Sequence, residues 1–458
     1  MLSPEGENGL ASPFIYFTKL IVENVRSFAD RQVLDLTCAN GAPAQWTLIV
    51  GENGVGKTTL LQCLARMRPL YSAPSEDRDS KEKIEPEMLR EEDNRVLGAL
   101  ARNGTSGAVQ LEAHLVAGVS LRGKGKPTPF STWMKITRDS RSIQEVDGGG
   151  SPAIRNEPLV LAYGAGRHMG RANSEASASA TGTETLFDST AELVDASEIL
   201  YQLDDARLRK RAGAEARLKR LLDVLATVLP DVSSPKQIKI YGLPSPGLTS
   251  AATGVRISTP YGEVSLDQLS LGYQTTVAWT VDIATQLFRN YPNSKNALAE
   301  PAIVIVDEID LHLHPRWQRE IRDHLTEHFP NVQFIATAHS PLMAQSSLQD
   351  NLAIIKRDED HAVIVSDPSI VHDWRLDQIV TSELFNLKTP WPPDVEELVV
   401  EQKALVAKTS RNQEDEQRLS VLKERLLQLP SSLSREDERA LELIRRAAAR
   451  IQEQGEPA

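Results

Sequence analysis

Gly51-Glu52-Asn53-Gly54-Val55-Gly56-Lys57-Thr58 is the stretch of this 458-residue chain on which the fold turns. The pattern G-x-x-x-x-G-K-T gains meaning only from its neighbours. Upstream, Trp46 to Val50 reads as a short buried strand, and downstream Thr58 to Met67 carries helical apolar spacing. In a strand, glycine loop and helix, backbone N–H groups can approach a phosphate closely, and the helix start turns its positive end toward it. Lys57 is placed to reach the β- and γ-phosphates of a nucleotide, and the Thr58 hydroxyl to hold Mg²⁺. Asn53, Gly54, Gly56 and Thr59 complete the candidate cradle for ATP.

Three further signals follow. Ile303 to Val306 is an unbroken β-branched run, expected to form a strand buried on both faces, and it ends in Asp307-Glu308. Carboxylates at the C-terminal end of such a strand sit where α/β sheets place ligands. Asp307 is the second candidate for Mg²⁺, and Glu308 the candidate to polarise an attacking water. Leu269-Ser270-Leu271-Gly272-Tyr273-Gln274 precedes a helix predicted over 272–289; a Ser-Gly helix start is common, and its place about 30 residues before the Asp307-Glu308 strand is what singles out Ser270 and Gly272. His339, just beyond a strand predicted over Val332 to Ala336, is the candidate for a γ-phosphate contact.

The remaining chain supplies context. Strands are predicted at Ile15 to Val25, Gln32 to Leu36, Val109 to Val116 and Pro158 to Tyr163, with extended pieces at Gln237 to Tyr241 and Gly254 to Ser258. The polar stretch 72–96 reads as an exposed excursion with helix near 86–101, Arg138 to Pro152 as a loop, and 168–184 as a small-residue polar segment. Ala191 to Leu229 reads as helix, with a basic run from Arg207 to Arg220 that fits a solvated helix pair better than a nucleic-acid or partner surface. Leu352 to Val365 reads as a hairpin. Charged helices are predicted over 394–428 and 435–453, the second with a capping box at Ser434 and Asp437.

Net charge is −12, which gives no support to a protein whose main task is coating nucleic acid. The two cysteines, Cys38 and Cys63, fit a reducing cytoplasm and argue against a disulfide framework or a cysteine-based zinc site. No apolar run reaches the length of a membrane span, and the polar, acidic first residues do not read as a secretory signal. The expectation is a cytoplasmic protein with no membrane partner.

The order of these signals resembles the ABC-type ATPase superfamily: glycine loop, LSxG-like signature, Asp-Glu strand, switch histidine. The likeness is to the RecF/OLD/SMC-like heads rather than to transporter ATPases. Asn24-Val25-Arg26-Ser27-Phe28 looks like the element that opens those heads, and by resemblance Arg26 would touch the nucleotide. Residues 311–315, after Asp307-Glu308-Ile309-Asp310, stand where the D-loop lies. Tyr163-Gly164-Ala165-Gly166-Arg167, Leu186-Phe187 and Trp374 to Phe385 look like elements of defence-associated ATPases such as the Septu, retron-linked or PARIS subunits. Leu271 departs from the small residue common at the third signature position. The Q-loop glutamine has no clear place, and residues 159–167 are the candidate for its role.

The resemblance implies an α/β fold: a P-loop ABC-type ATPase head with a mixed sheet, a helical insertion and a helical C-terminal region. Residues 1–345 would form the head, with the helical insert at about 187–235, and 346–458 a hairpin and charged helices. It implies self-association, as a dimer or higher even oligomer, in which Ser270 and Gly272 of one copy close over the ATP of another. A separate effector would be regulated, a nuclease of HNH or Toprim type in anti-phage defence. A DNA-repair-type clamp acting directly on DNA is the alternative, and nucleic acid stays open as a partner. Two weaker patterns have plainer readings. His312 and His314 fit D-loop geometry better than a metal site, and Asp358-Glu359-Asp360 fits an acidic turn better than a Toprim nuclease.

Overall fold

The computed structural model describes residues 14–72, 83–90, 94–104, 107–122, 124–138, 143–150, 156–170, 182–229, 232–241, 254–260, 262–347, 351–366, 374–382, 385, 391–408 and 411–427. The second C-terminal helix with its capping box, and most of segment 168–184, lie outside these residues. The chain divides into two compact units, Met1–Asn386 and Leu387–Ala458.

The first unit opens with β1 (Ile15–Glu23), β2 (Gln32–Asp35) and β3 (Trp46–Gly51), and the glycine loop then leads into α1 (Lys57–Arg66). β4 (Pro69–Ser72) and β5 (Lys83–Pro86) pair as a ribbon, and α2 (Asn94–Gly98) precedes the long strands β6 (Val109–Val119), β7 (Gly125–Arg138) and β8 (Ile143–Gly150). After β9 (Val160–Tyr163) come the helices α3 (Glu184–Phe187), α4 (Ala196–Leu208) and α5 (Ala214–Val228). A small sheet, β10 (Ile238–Tyr241), β11 (Gly254–Thr259) and β12 (Gly262–Ser265), precedes α6 (Leu271–Asn290). The unit closes with β13 (Ala302–Val306), α7 (Pro315–His328), β14 (Val332–Ala338), α8 (Pro341–Ser346), β15 (Asn351–Asp358), β16 (His361–Val365) and α9 (Leu376–Val380).

The central sheet has the order β16-β15-β3-β14-β13-β9, parallel except for the antiparallel edge strand β16. Its parallel strands read as continuous apolar runs because both faces are covered. The two-residue alternation divides them between two cores. Ile49, Ile303, Ile305 and Ile335 face α1 and the antiparallel sheet β2-β1-β6-β7-β8. Leu48, Val50, Val304, Val306 and Phe334 face a core shared with α4, α5, α6 and α7. α1 is therefore wedged between two sheets, with Leu60, Leu61 and Leu64 fully buried, and its N-terminus is fixed at the C-terminal edge of β3.

Two expectations need correction. The hairpin after residue 345 is part of the head's own sheet, since β15 pairs in parallel with β3 from Asn351↔Thr47 to Ile355↔Gly51. The unit boundary therefore falls at 386/387, not 345/346. The segment expected as a loop at 138–152 contains β8, paired antiparallel with β7. Its glycines weaken a strand in general, but here Gly148 and Gly150 are required. A Cβ on Gly148 would lie 2.7 Å from the Trp133 carbonyl oxygen, and one on Gly150 would lie 2.7 Å from that of Ser131.

The second unit holds α10 (Pro393–Ala407) and α11 (Gln413–Leu427). Leu405, Leu419 and Leu422 form its small core, and Arg418 grips Glu401 with two bonds of 2.7 Å.

Candidate functional site

The glycine loop bends because Gly56 holds φ 105° under the 24–28 turn, where an added Cβ would lie 2.3 Å from Ser27 Oγ and 2.8 Å from the Phe28 ring. Ser27 Oγ donates to the Val55 carbonyl at 2.9 Å and ties that turn to the loop. Only glycine combines this backbone with this approach. Asn53 and Gly54 are exposed at the loop's crest. Lys57, 6% exposed, folds back under the crest and donates to the carbonyls of Gly51 and Glu52, both at 2.8 Å. Burial lowers its pKa, opposed by the nearby charges of Asp307, Glu308 and Asp310.

The parallel pairing of β13 with β14 and β9 puts Asp307 at the same edge as the loop. Thr58 Oγ1 donates to Asp307 Oδ2 at 2.7 Å, and Thr337 Oγ1 donates to Asp307 Oδ1 at 2.6 Å. A hydroxyl and a carboxylate oxygen that meet at one point form a hard-oxygen donor pair, which fits Mg²⁺. Glu308 follows in the left-handed region, φ 46°, and its N–H donates to Thr337 Oγ1 at 2.7 Å. The His339 N–H donates to Asp310 Oδ2 at 2.9 Å, which anchors the end of β14 to the segment after Glu308. Arg26 lies over the first turn of α1: its Nη1 donates to Thr59 Oγ1 at 3.3 Å and Gln62 Oε1 at 3.4 Å, and its Nε to the Ala99 carbonyl at 3.0 Å.

Ser270 and Gly272 stand apart. Among the described residues, no hydrogen bond joins either of them to the glycine loop. Ser270 and Leu271 are exposed at the start of α6, whose following turns are buried, and the Ser270 side chain makes no capping bond. Gly272 is buried against the D-loop segment, where a Cβ would meet the His312 carbonyl oxygen at 2.3 Å. Gln274 Nε2 donates to the carbonyls of Asp267 and Leu269, both at 2.8 Å, and fixes the loop's shape. His314 caps α7, its Nδ1 accepting from the Arg316 N–H at 3.3 Å. Asp360 sits in the β15–β16 turn and is held by Arg102 at 2.7 Å, so the D-x-D pattern there is turn chemistry.

Three residues of the site carry no individual role in the sequence reading: Thr337, Asp310 and Arg167. Arg167, 4% exposed, donates through Nη1 to the carbonyls of Gly164 at 2.8 Å and Asp307 at 2.6 Å, and through Nη2 to that of Glu308 at 3.1 Å. The candidate segment 159–167 thus reaches the Asp307-Glu308 pair through an arginine. The sequence points to this run twice, as a likeness to defence-associated ATPases and as part of the 159–167 candidate for the Q-loop role, without marking Arg167 itself.

Residues 47–344 match the family model described as "AAA domain, putative AbiEii toxin, Type IV TA system". The chain is 26% identical over 415 residues to the Septu protein PtuA of Bacillus mycoides (strain KBAB4), covering 90% of this chain and 50% of that one. It is 40% identical over 124 residues to the retron Vc95 probable ATPase of Vibrio cholerae serotype O1 biovar El Tor, covering 27% and 23%. It is 36% identical over 157 residues to the retron Ec83 probable ATPase of Escherichia coli, covering 34% and 28%. Among solved structures, the SMC head domain from Thermotoga maritima matches 77% of this chain and 98% of that one, with a TM-score of 0.39 and 14% identity. The chain spans about half the length of the first of these relatives.

Proposed function

The chain belongs to this AAA-domain family, and from that premise we propose that it binds Mg-ATP and hydrolyses it in composite sites built by two copies. The observation that carries the reading is the convergence of Lys57, Thr58 and Asp307 at one sheet edge. Lys57 leaves the two loop carbonyls for the β- and γ-phosphates, while Arg26, Asn53, Gly54, Gly56 and Thr59 shape the rest of the cradle. Thr58 and Asp307 would hold Mg²⁺, which when bound neutralises charge on the phosphoryl group being transferred. Glu308 orients the attacking water, and His339 stabilises charge at the γ-phosphate. Phosphoryl transfer of this kind rests on positioning and electrostatics.

The remaining contacts come from a second copy. Among the described residues Ser270 is exposed at a helix start and unattached to its own glycine loop, so Ser270 is open to cover another subunit's γ-phosphate, with the buried Gly272 shaping the turn that carries it. ATP is then both substrate and dimer adhesive, and hydrolysis releases or rearranges whatever the dimer holds. The Septu and retron names of the relatives accord with the likeness to defence-associated ATPases; in that anti-phage role the ATPase regulates a separate effector, a nuclease of HNH or Toprim type.

One observation favours the second reading, a clamp on DNA. At the α4–α5 turn Arg207 and Arg209 pair with Asp204 and Asp205, whereas among the described residues Lys210 and Arg211 there, and Lys219 within α5, have no acidic partner. Hydrolysis stimulated by DNA would support that alternative. The test of the main reading is mass by light scattering with and without Mg-ATP. The Glu308→Gln variant should accumulate as an ATP-bound dimer or higher even oligomer, and a mass unchanged by ATP contradicts composite sites.

A further inference from the structure

Strands present successive carbonyls to opposite sides. The carbonyls of Asp307 and Glu308, which follow one another at the end of β13, both accept from the single guanidinium of Arg167. This needs a break from extended geometry, and Glu308 supplies it with φ 46°, a region L-residues with a long side chain seldom occupy. The N–H groups of the same two residues are also fixed: that of Asp307 donates to the Tyr163 carbonyl at 2.8 Å, and that of Glu308 to Thr337 Oγ1 at 2.7 Å. Every backbone polar group of the pair is therefore held, the Glu308 carbonyl also accepting from the Leu311 N–H at 3.1 Å, and Tyr163 and Arg167 supply three of the five bonds from one short turn.

That turn is itself closed on Arg167. The Gly164 carbonyl accepts both the Arg167 backbone N–H at 3.2 Å and its Nη1 at 2.8 Å. A Cβ on Gly164 would lie 2.0 Å from the Thr185 carbonyl oxygen, so the turn is pressed onto the start of α3. The arginine is buried, and among the described residues its Nε–H finds no partner. A buried cation with an unmatched donor is a costly way to stabilise a fold. Burial pulls its pKa down to about 10, with Asp307, Glu308 and Asp310 opposing the shift, so it stays charged at neutral pH. Its planar fork spans three carbonyls, which a lysine's single nitrogen cannot reproduce.

We propose that Arg167 is a positioning residue for hydrolysis: it holds the carbonyls of Asp307 and Glu308 and thereby aims the Glu308 carboxylate at the attacking water, without touching the nucleotide. This rests on the reading of Glu308 as the water-orienting group. A displacement of about 1 Å in such a group can cost about 100-fold in rate.

The test is a double-mutant cycle on the full chain, with single-turnover hydrolysis, equilibrium ATP affinity and thermal unfolding measured for Arg167→Lys, Arg167→Gln, Glu308→Gln and Arg167→Lys/Glu308→Gln. Arg167→Lys should hydrolyse about 10- to 100-fold more slowly with ATP affinity within about threefold of wild type, and Arg167→Gln more slowly still. Added to Glu308→Gln, Arg167→Lys should cost almost nothing further, because it acts through the group already removed. Should Arg167→Gln fail to fold, the lysine cycle decides alone. The proposal is overturned by an unchanged rate in Arg167→Lys, by loss of ATP affinity with the rate kept, or by an equal loss of rate in both backgrounds. Wild-type turnover in Glu308→Gln would remove the underlying reading instead, whatever the arginine variants do.

Discussion

Glu308 combines backbone strain with a braced carbonyl, which is the condition of a residue held for chemistry at some cost. Replacing it with glutamine keeps the shape and removes the acceptor charge. Turnover should fall by about 100-fold or more while ATP binding persists, as measured by single-turnover hydrolysis against equilibrium titration. Thr337 is fully buried and serves both carboxylate residues, donating to Asp307 and accepting from the Glu308 N–H. Thr337→Val preserves volume but strands that N–H, so chemical denaturation should show a loss of about 1–3 kcal/mol. Lys57, Thr58, Asp307 and Glu308 were legible because motif spacing fixes side chains of distinctive chemistry. Arg167 and Thr337 were not, because their partners include backbone carbonyls and N–H groups, which every residue carries and no pattern marks.

Among elements, α6 links the two ends of the proposed cycle. Its first turn, at Gly272, is pressed against His312, and its middle is tied to β9 by the bond from Tyr163 Oη to Asp282 Oδ2, 2.7 Å. Gly272→Ala puts a methyl 2.3 Å from the His312 carbonyl oxygen, so the signature turn must move off the D-loop. Turnover should fall while ATP binding by the separate chain stays near wild type, with both read on the same preparation. Burial raises the pKa of Asp282 above its ordinary value of 3.8. From that value upward the folded chain holds a proton the unfolded chain has lost, so this group's contribution to stability declines as pH rises toward the folded pKa. Asp282→Asn can still accept from Tyr163 and lacks the titration. Its unfolding temperature relative to wild type should therefore climb with pH across that window in a series of melts. Buried parallel strands and amphipathic helices were readable at this scale. β8 was missed because its glycines argue against a strand until β7 is beside them.

For the whole molecule, the order of signals along the chain foretold the head, but not where it ends. The hairpin β15–β16 looked like the start of a second region because pairing with a strand some 300 residues earlier leaves no local trace. The central claim is that the exposed Ser270 turn of one copy completes the Lys57 site of another. Two variants isolate its halves: Lys57→Ala disables a chain's own nucleotide site, and Ser270→Arg blocks what it offers to a partner. Each alone should be nearly inactive as an ATPase. A mixed dimer, however, contains one composite site with Lys57 from the Ser270→Arg chain and Ser270 from the Lys57→Ala chain. The decisive measurement is ATP hydrolysis by the two inactive proteins before and after mixing. Recovery of turnover in the mixture is the predicted result, and a mixture as inactive as its components contradicts the composite site.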